Sequence, residues 1–205
     1  MSKISFKTYG HRDRYREIRD GWADCRACPL ADHRYQLVHL RGEVPATVAF
    51  LGEGPGPSEN LMGFPFVGPA GDLMDEMILA ALEASSLRDK AGDLLRPRMA
   101  FLNLVACLPH QDGGGVRPPK KSEAKACSPR VEELLDLLEP EVIIRVGRTP
   151  GQFLPQWKDA RLVTVPHPAG ILRILEDNPT KAALDQKRFH LTLLNALNSL
   201  EDSHV

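Results

Sequence analysis

The sequence predicts an α/β protein with a mostly parallel sheet whose strands are connected by helices. Short runs of β-branched and other apolar residues recur along the chain, and stretches with the helical spacing of apolar residues separate them. The length of 205 residues is enough for one domain with a substantial core and leaves little room for a second. We therefore expect one domain over residues 1–205.

Four apolar runs are the predicted strands of this sheet. They are residues 46–51 (ATVAFL), 99–105 (MAFLNLV), 142–146 (VIIRV) and 162–165 (LVTV). In open parallel sheets the ligand site lies beyond the carboxyl ends of the strands. The residues that follow each run are therefore the first candidates for a functional site.

Helical spacing of apolar residues predicts the helices that connect the strands. The predicted helices cover residues 12–24, 72–84, 123–138 and 187–200. One long loop remains, PHQDGGGVRPPKKS, at residues 109–122. Loops of this length tend to be functional or mobile.

The overall charge is nearly neutral, at a formal value of −1, but it is unevenly distributed. Residues 1–41 contain nine Lys or Arg against five Asp or Glu, and residues 96–130 contain seven against two. Two basic segments in a neutral chain suit a surface that faces phosphate groups, whereas scattered solvated charge is the alternative interpretation.

The chain has no run of about 20 apolar residues, the length that a membrane helix requires. The first residues, MSKISFKTYGHRDRYREIR, are too charged for a signal peptide. We therefore expect a cytoplasmic protein without membrane contact. In that compartment cysteines are thiols or metal ligands more often than disulfides.

The four cysteines have a spacing that indicates a metal centre. Cys25 and Cys28 form a CxxC motif, Cys107 follows a predicted strand, and Cys127 lies in a predicted helix. A CxxC pair chelates one metal centre, and two distant thiols could complete a four-thiolate site. The alternative is that Cys107 and Cys127 are ordinary buried thiols. Spacing alone does not distinguish zinc from an iron–sulfur cluster.

Three chemically active residue types follow the predicted strands: the carboxylate of Glu53, the amide of Asn103 and the imidazole of His167. Together they form a plausible catalytic set. Glu53 is the second residue of a stretch with unusual backbone freedom, GEGPGPSENLMGFPFVGPAG at residues 52–71, which contains six glycines and four prolines.

Several motifs, in this order, resemble the uracil-DNA glycosylase superfamily. They are CRACPL, LGEGPGPSENLMGFPFVGPAG, LNLVACLP, EAKAC, VIIRVGRTP and PHPAGILR, from about Cys25 to Arg173. The chain looks most like the iron–sulfur branch, family 4, with family X as its neighbour. The resemblance implies a three-layer α/β/α domain with a central, mostly parallel four-stranded sheet.

The resemblance also implies the activity, the hydrolysis of the N-glycosidic bond of uracil in DNA to leave an abasic site. Two alternatives remain open: a glycosylase of the same fold for another deaminated or modified base, and a non-catalytic protein that binds a lesion. The expected partner is DNA that contains uracil or another damaged base, and we expect the protein to act as a monomer.

Site residues follow from the resemblance position by position. Glu53 matches the water-activating acid, Phe66 the aromatic that stacks on the extruded base, Asn103 the amide that reads the pyrimidine, and His167 the contact to base O2. Further expected pocket residues are Gly52, Gly54, Pro55 and Glu59. Expected DNA contacts are Lys120, Lys121 and Arg173, with Ile171 and Leu172 inserting into the minor groove.

The cofactor that the resemblance implies is a 4Fe-4S cluster with a structural role. Its ligands would be Cys25, Cys28, Cys107 and Cys127. The cluster would fasten the N-terminal helical segment, about residues 1–41, beside the DNA groove.

The chain departs from the family pattern at several positions. Gly54 stands where family 4 usually has alanine, and Ala106 and Leu108 stand where basic residues usually flank the third cysteine. The segment between Cys107 and Cys127 looks longer than usual. Family X has a basic loop there with a histidine that bonds to the abasic sugar. This loop has no histidine near its end, and His110 near its start is a weak substitute. The resemblance therefore does not imply a covalent bond to the sugar in this protein.

Overall fold

The computed structural model describes residues 6–88, 92–111 and 114–200. Five strands form one sheet in the order β1-β3-β2-β4-β5. Their bounds are β1 Arg41–Gly42, β2 Val48–Gly52, β3 Met99–Asn103, β4 Val142–Val146 and β5 Arg161–Val165. Strands β2 to β5 are parallel, and β1 pairs antiparallel with β3. The four predicted strands are confirmed, and β1 is an additional edge strand that the sequence did not predict.

Within the described residues, seven helices and a 3-10 turn at Pro29–His33 precede, connect or follow the strands. The helices are α1 Phe6–Trp22, α2 Pro57–Met62, α3 Pro69–Ala84, α4 Lys121–Leu138, α5 Thr149–Phe153, α6 Pro168–Ile174 and α7 Pro179–Asn198. Helix α7 starts well before the predicted residue 187. None of the described helices combines the length and apolar character that crossing a bilayer requires.

The sheet is covered by helices on both faces. Along β2, Val48 and Phe50 point to one face, and Ala49 and Leu51 point to the other. Helices α3, α6 and α7 pack on the first face, and α1, α4 and α5 pack on the second. The alternation of side chains in a strand thus supplies two separate hydrophobic cores, and the predicted three-layer α/β/α architecture is confirmed.

The strand order predicts a ligand crevice at the carboxyl edge of the sheet. From β2 the chain moves to β3 on one side, and then to β4 and β5 on the other side. A reversal of this kind opens a ligand crevice beyond the strand ends. Gly52 and Asn103 are paired at that edge, and so are Val146 and Val165. The residues that follow these strands are therefore brought to one place.

The predicted loop 109–122 is partly ordered by backbone pairing. His110 and Val116 form an isolated antiparallel bridge, and Gln111 N donates to the carbonyl of Gly115 at 3.2 Å. Residues 112 and 113 of the predicted loop lie outside the described residues. Helix α4 begins at Lys121, so the connecting segment ends there.

Candidate active site and four-cysteine site

The amide of Asn103 lies directly on the backbone of Gly52. A methyl group on Gly52 would lie 2.2 Å from Asn103 Oδ1. Backbone hydrogen bonds continue the pairing of the two strands past their ends, from Leu104 N to the Gly52 carbonyl at 3.0 Å and from Val105 N to the Glu53 carbonyl at 3.3 Å. Asn103 is 3% exposed, so its amide is almost entirely removed from solvent at the end of β3.

The ring of Phe66 reaches the same glycine. The methyl group on Gly52 would also lie 2.5 Å from Phe66 Cζ. Phe66 is buried, packs edge-on against Phe101 with ring centroids 6.1 Å apart, and has a φ of +56°. On the other side, a methyl group on Gly71 would lie 2.1 Å from the Phe66 carbonyl oxygen. A non-glycine residue in this region is strained, and such strain persists where the surrounding packing determines the conformation.

Glu53 and Glu59 have different surroundings in this loop. Glu53 is half-buried and follows β2 directly. The carboxylate of Glu59 accepts a hydrogen bond from Gly56 N at 2.8 Å and so caps the first turn of α2. Glu59 therefore has a structural contact, and its expected place at the pocket edge stays a prediction.

His167 is the N-cap of α6 and is held in one tautomer. Its Nδ1 accepts a hydrogen bond from Ala169 N at 3.2 Å, so the proton of the neutral ring is on Nε2. Burial, with a smaller contribution from the positive charge of Arg173, lowers the pKa of His167 to about 4. The ring packs on Gly147, where an added methyl group would lie 3.3 Å from its Cδ2. At neutral pH His167 is thus a neutral N–H donor.

The four cysteines lie around one small apolar cavity. Leu30, Val105 and Ala124 pack against three of the thiols, and Trp22 completes part of the lining. All four cysteines are free thiols. Burial raises the pKa of the Cys28 and Cys107 thiols. The structure thus brings Cys25, Cys28, Cys107 and Cys127 to one cavity, as the sequence pattern predicted.

Two arginines donate to this four-cysteine site. Arg34 Nη1 lies 3.6 Å from Cys107 Sγ and donates to the carbonyl of Cys25 at 2.7 Å. Arg130 Nε lies 3.3 Å from Cys127 Sγ. At Cys107 the nearby Arg34 charge lowers the pKa, but burial has the larger effect and the pKa of this thiol remains raised.

The arrangement does not match the binding of a single metal ion. Within the described ranges, no three His, Cys, Asp or Glu side chains converge closely enough to hold one ion. A tetrahedral zinc would need four ligand atoms at about 2.3 Å from one centre. The described residues therefore contain no preformed site for a single ion.

A large open groove lies at the opposite edge of the sheet, lined in part by Glu139, Trp157 and Arg161. It contains none of the predicted site residues. Because parallel sheets bind ligands beyond their carboxyl ends, the candidate active site is the crevice at Gly52, Phe66 and Asn103.

Comparison with known proteins agrees with this geometry. A sequence model of the uracil DNA glycosylase superfamily matches residues 41–190. The chain belongs to the uracil DNA glycosylase superfamily. It is 31% identical to the type-4 uracil-DNA glycosylase of Sulfurisphaera tokodaii over 69% of the chain and 58% of the relative. The corresponding values are 33%, 67% and 57% for Saccharolobus solfataricus, and 32%, 69% and 66% for Thermotoga maritima. The match thus spans less than two thirds of these relatives' own length.

The packing around Gly54 explains why this chain has glycine at that position. A methyl group at this position would lie 2.8 Å from Val105 Cγ2 and 3.1 Å from Pro109 Cγ. The side chains that follow β3 thus occupy the space that the alanine of family 4 would need. The buried neighbour Pro55 leads into α2.

The basic residues expected to contact DNA are exposed. Lys120 and Lys121 lie at the start of α4, and Arg173 lies near the end of α6. The expectation that Ile171 inserts into the minor groove is wrong, because Ile171 is 1% exposed and belongs to the hydrophobic core. Leu172, its neighbour, is half-buried.

Arg34 and Arg130 were not predicted from the sequence as residues of this site. A signal for Arg130 was present, because it lies on the inward face of α4, three residues after Cys127 and four before the buried Leu134. A cation on the apolar face of an amphipathic helix needs a buried partner. Arg34 lies in the basic N-terminal segment and had no such signal.

Proposed function

We propose that this protein is a uracil-DNA glycosylase that hydrolyses the bond between uracil and deoxyribose in DNA and leaves an abasic site. Superfamily membership and the names of the relatives support the proposal. The observation that supports it most directly is a contact within the candidate active site. The Asn103 amide and the Phe66 ring both contact Gly52, immediately before Glu53.

The pocket would recognise an extruded base by its shape and its hydrogen-bonding edge. Extruding a base costs a few kcal/mol, and stacking on Phe66 would return about 1–3 kcal/mol. The Asn103 amide can donate to uracil O4 and accept from uracil N3–H. Cytosine presents the opposite polarity at both atoms, and unpaired buried polar groups reject such an analogue strongly.

His167 would stabilise the departing base. Cleavage of the glycosidic bond leaves negative charge on uracil, and a preorganised donor lowers the energy of that charge. Because Nδ1 accepts from Ala169 N, the Nε2–H of His167 is available to donate to uracil O2. The ring stays neutral at pH 7 because its pKa is lowered to about 4.

Glu53 would act on the sugar side of the bond. Its carboxylate would stabilise the developing positive charge on the sugar and orient a water molecule towards C1′. The water oxygen forms the new bond to C1′, its proton passes to Glu53, and the uracil anion takes up a proton from solvent. Gly52, Gly54 and Pro55 would shape the backbone that lets the base approach.

The four cysteines would hold a 4Fe-4S cluster. In such a cluster each thiolate binds a different iron, and the four cysteines line one apolar cavity. The bound cluster would supply a structural cross-link and no redox step. Cys25 and Cys28 would thereby fasten residues 1–41 to Cys107 behind β3 and to Cys127 on α4, within a single domain over residues 1–205.

DNA would bind across the carboxyl edge of the sheet. The exposed Lys120, Lys121 and Arg173 would contact phosphates, and the protein would act as a monomer. Affinity should fall as the salt concentration rises, because phosphate contacts release counterions.

The test is a panel of oligonucleotides, each with one uracil, hypoxanthine, xanthine, thymine or cytosine, in single- and double-stranded form. Abasic product is measured after alkaline cleavage. We expect cleavage at uracil, and a loss of about 10²-fold or more in Glu53→Gln, Asn103→Ala and His167→Gln. The exposed Glu43→Gln is the matched control and should cleave as the wild type does. Full activity in all three site variants would contradict the proposal.

The loop 109–118 favours one second candidate, a glycosylase for another damaged base. Pro109 contacts the position of Gly54 beside Glu53, so this loop shapes the site differently from the family pattern. Cleavage at hypoxanthine or xanthine in the same panel, without cleavage at uracil, would identify this candidate. Tight binding without any product would instead indicate a lesion-binding protein.

A further inference from the structure

Arg130 is a buried cation that links the four-cysteine site to the candidate base pocket. Its exposed fraction is 0%. Nε donates to Cys127 Sγ at 3.3 Å, and Nη2 donates to the carbonyl oxygen of Asn103. The remaining nitrogen, Nη1, has no hydrogen-bond partner among the described residues. One guanidinium therefore contacts a residue of each site.

The charge of Arg130 needs an anionic partner. Isolated buried charges cost several kcal/mol unless they are paired. In the described part of the chain, Arg130 forms no ion pair with a carboxylate. Its contact with the Cys127 sulfur is the one that can supply negative charge.

The four-cysteine site can provide that charge once a cluster is bound. Four thiolates outweigh the positive charge of a dicationic iron–sulfur core, so the loaded site is anionic. Arg130 and Arg34 each donate to one of its sulfurs. Two guanidinium groups next to an anionic site would compensate part of its charge.

The contact with Asn103 is placed where it determines the position of the amide. Asn103 is the last residue of β3, and the next peptide donates from Leu104 N to the Gly52 carbonyl at 3.0 Å. Arg130 holds the oxygen of that same peptide bond. A shift of this peptide would move the Asn103 side chain relative to Gly52. The two residues are so close that a methyl group added to Gly52 would collide with Asn103 Oδ1.

We propose that Arg130 is a positioning residue that couples the four-cysteine site to the orientation of the Asn103 amide. Its consequence for base choice rests on the proposed glycosylase function. Its structural part does not, because the coupling acts on the backbone at residues 103–105 whether or not the pocket binds uracil. Typical coupling free energies between sites correspond to about 5- to 150-fold changes in affinity.

The test compares three variants prepared anaerobically. Arg130→Met keeps the volume and removes the charge and both hydrogen bonds. Arg130→Lys keeps the charge but loses the planar fork that reaches two acceptors. Arg34→Met is the matched control, because Arg34 contacts Cys107 and Cys25 but not Asn103.

Three measurements are made on each variant whose iron and sulfide content equals that of the wild type. The first is the reduction potential of the cluster, the second is hydrogen exchange of the segment 103–105, and the third is the preference for uracil over cytosine. The third uses oligonucleotide binding in a Glu53→Gln background, where slow cleavage allows binding to be measured before product accumulates.

In Arg130→Met we expect a more negative potential, faster exchange of residues 103–105 and about tenfold less preference for uracil. Arg130→Lys should keep the wild-type potential but show the faster exchange and the reduced preference. Arg34→Met should lower the potential and leave exchange and preference at their wild-type values.

Wild-type exchange of residues 103–105 in Arg130→Met, or in Arg130→Lys if the Met variant does not hold iron, overturns the proposal. If the wild-type pocket shows no preference for uracil, the glycosylase proposal fails, and the exchange measurement still decides the role of Arg130.

Discussion

The glycine loop, residues 52–71, and the four-cysteine site approach each other at Asn103, but they are held together by different forces. In the glycine loop the contacts are steric, since methyl groups on Gly52 and Gly71 would collide with Asn103 or Phe66. In the four-cysteine site the contacts are electrostatic, since Arg34 and Arg130 donate to thiol sulfurs. In the loop, close approach of the backbone brings the side chains of the pocket together. At the cysteine site, charged hydrogen bonds hold the residues next to that pocket.

This difference determines what each region tolerates. A steric region should fail when atoms are added and should recover when the opposing atoms are removed. An electrostatic region should fail when one charge is removed and should recover when its partner is removed as well.

The largest effect should come from Cys127→Ala. It leaves the Arg130 guanidinium, which is 0% exposed, without its sulfur partner. With the proposed cluster bound, Cys127 and Arg130 would form a buried ion pair, and removing one member of such a pair typically costs about 3–5 kcal/mol. We expect a loss of this size, seen as a lower thermal unfolding midpoint under anaerobic conditions.

The double variant Cys127→Ala with Arg130→Met provides the control. Replacing both members of a buried pair by apolar groups is often neutral, so the double variant should be more stable than Cys127→Ala alone. Equal or lower stability of the double variant would show that Cys127 contributes by packing and not by charge.

Gly54→Ala should have the next largest effect, and it tests the steric region. The new methyl group would lie 2.8 Å from Val105 Cγ2, and valine cannot rotate away easily. Overpacking of this kind costs about 1–3 kcal/mol. We expect a loss of about 2 kcal/mol in the free energy of unfolding, measured by urea denaturation.

Two further variants complete this test. Gly21→Ala in α1 adds a methyl group with nothing within 4 Å and should leave stability unchanged or slightly higher. In a Val105→Ala background, Gly54→Ala should cost less, because the opposing methyl group is gone. An unchanged cost in that background would contradict the steric explanation.

The parts of the fold that the sequence predicted are those with strong local patterns. The strand at 142–146 was predicted with its observed bounds, because both neighbours and both helical layers bury it. The first turns of α7 were missed because they carry few buried residues and depend on the Asn178 cap. Strand β1 has only two residues and exists because β3 offers it an edge.

The candidate site follows the same division between local and long-range signals. Gly52 and Asn103 were predicted to meet because parallel strands end at one edge, and the structure pairs them. The contact of Pro109 with Gly54 and the contacts of Arg130 with Cys127 and Asn103 join distant segments. Such contacts depend on side-chain packing that no local pattern specifies.

A smaller effect should appear in the pH dependence of stability through His167. Burial, aided by the charge of Arg173, lowers its pKa from 6.5 in the unfolded chain to about 4. Between these values the unfolded chain binds a proton that the folded protein does not bind. Stability should therefore be full above pH 6.5 and fall as the pH decreases towards 4.

His167→Gln should flatten this dependence between pH 7.5 and pH 5, measured as the thermal midpoint at each pH. A residual slope of the same sign should remain from His39, because burial lowers its pKa to about 3. His39→Leu in addition should remove most of that residue's share. A slope in His167→Gln equal to that of the wild type would contradict a neutral, buried His167.

The smallest effect should come from Glu59→Ala, which tests whether the glycine loop also uses a polar contact. The Glu59 carboxylate accepts from Gly56 N at 2.8 Å and closes the first turn of α2. Loss of a cap costs about 1 kcal/mol, and Glu59→Gln, which keeps an acceptor oxygen, should cost less. Because α2 connects Glu53 to Phe66, cleavage kinetics are measured beside urea denaturation. A change in base preference without a change in stability would indicate that Glu59 acts at the pocket edge and not as a cap.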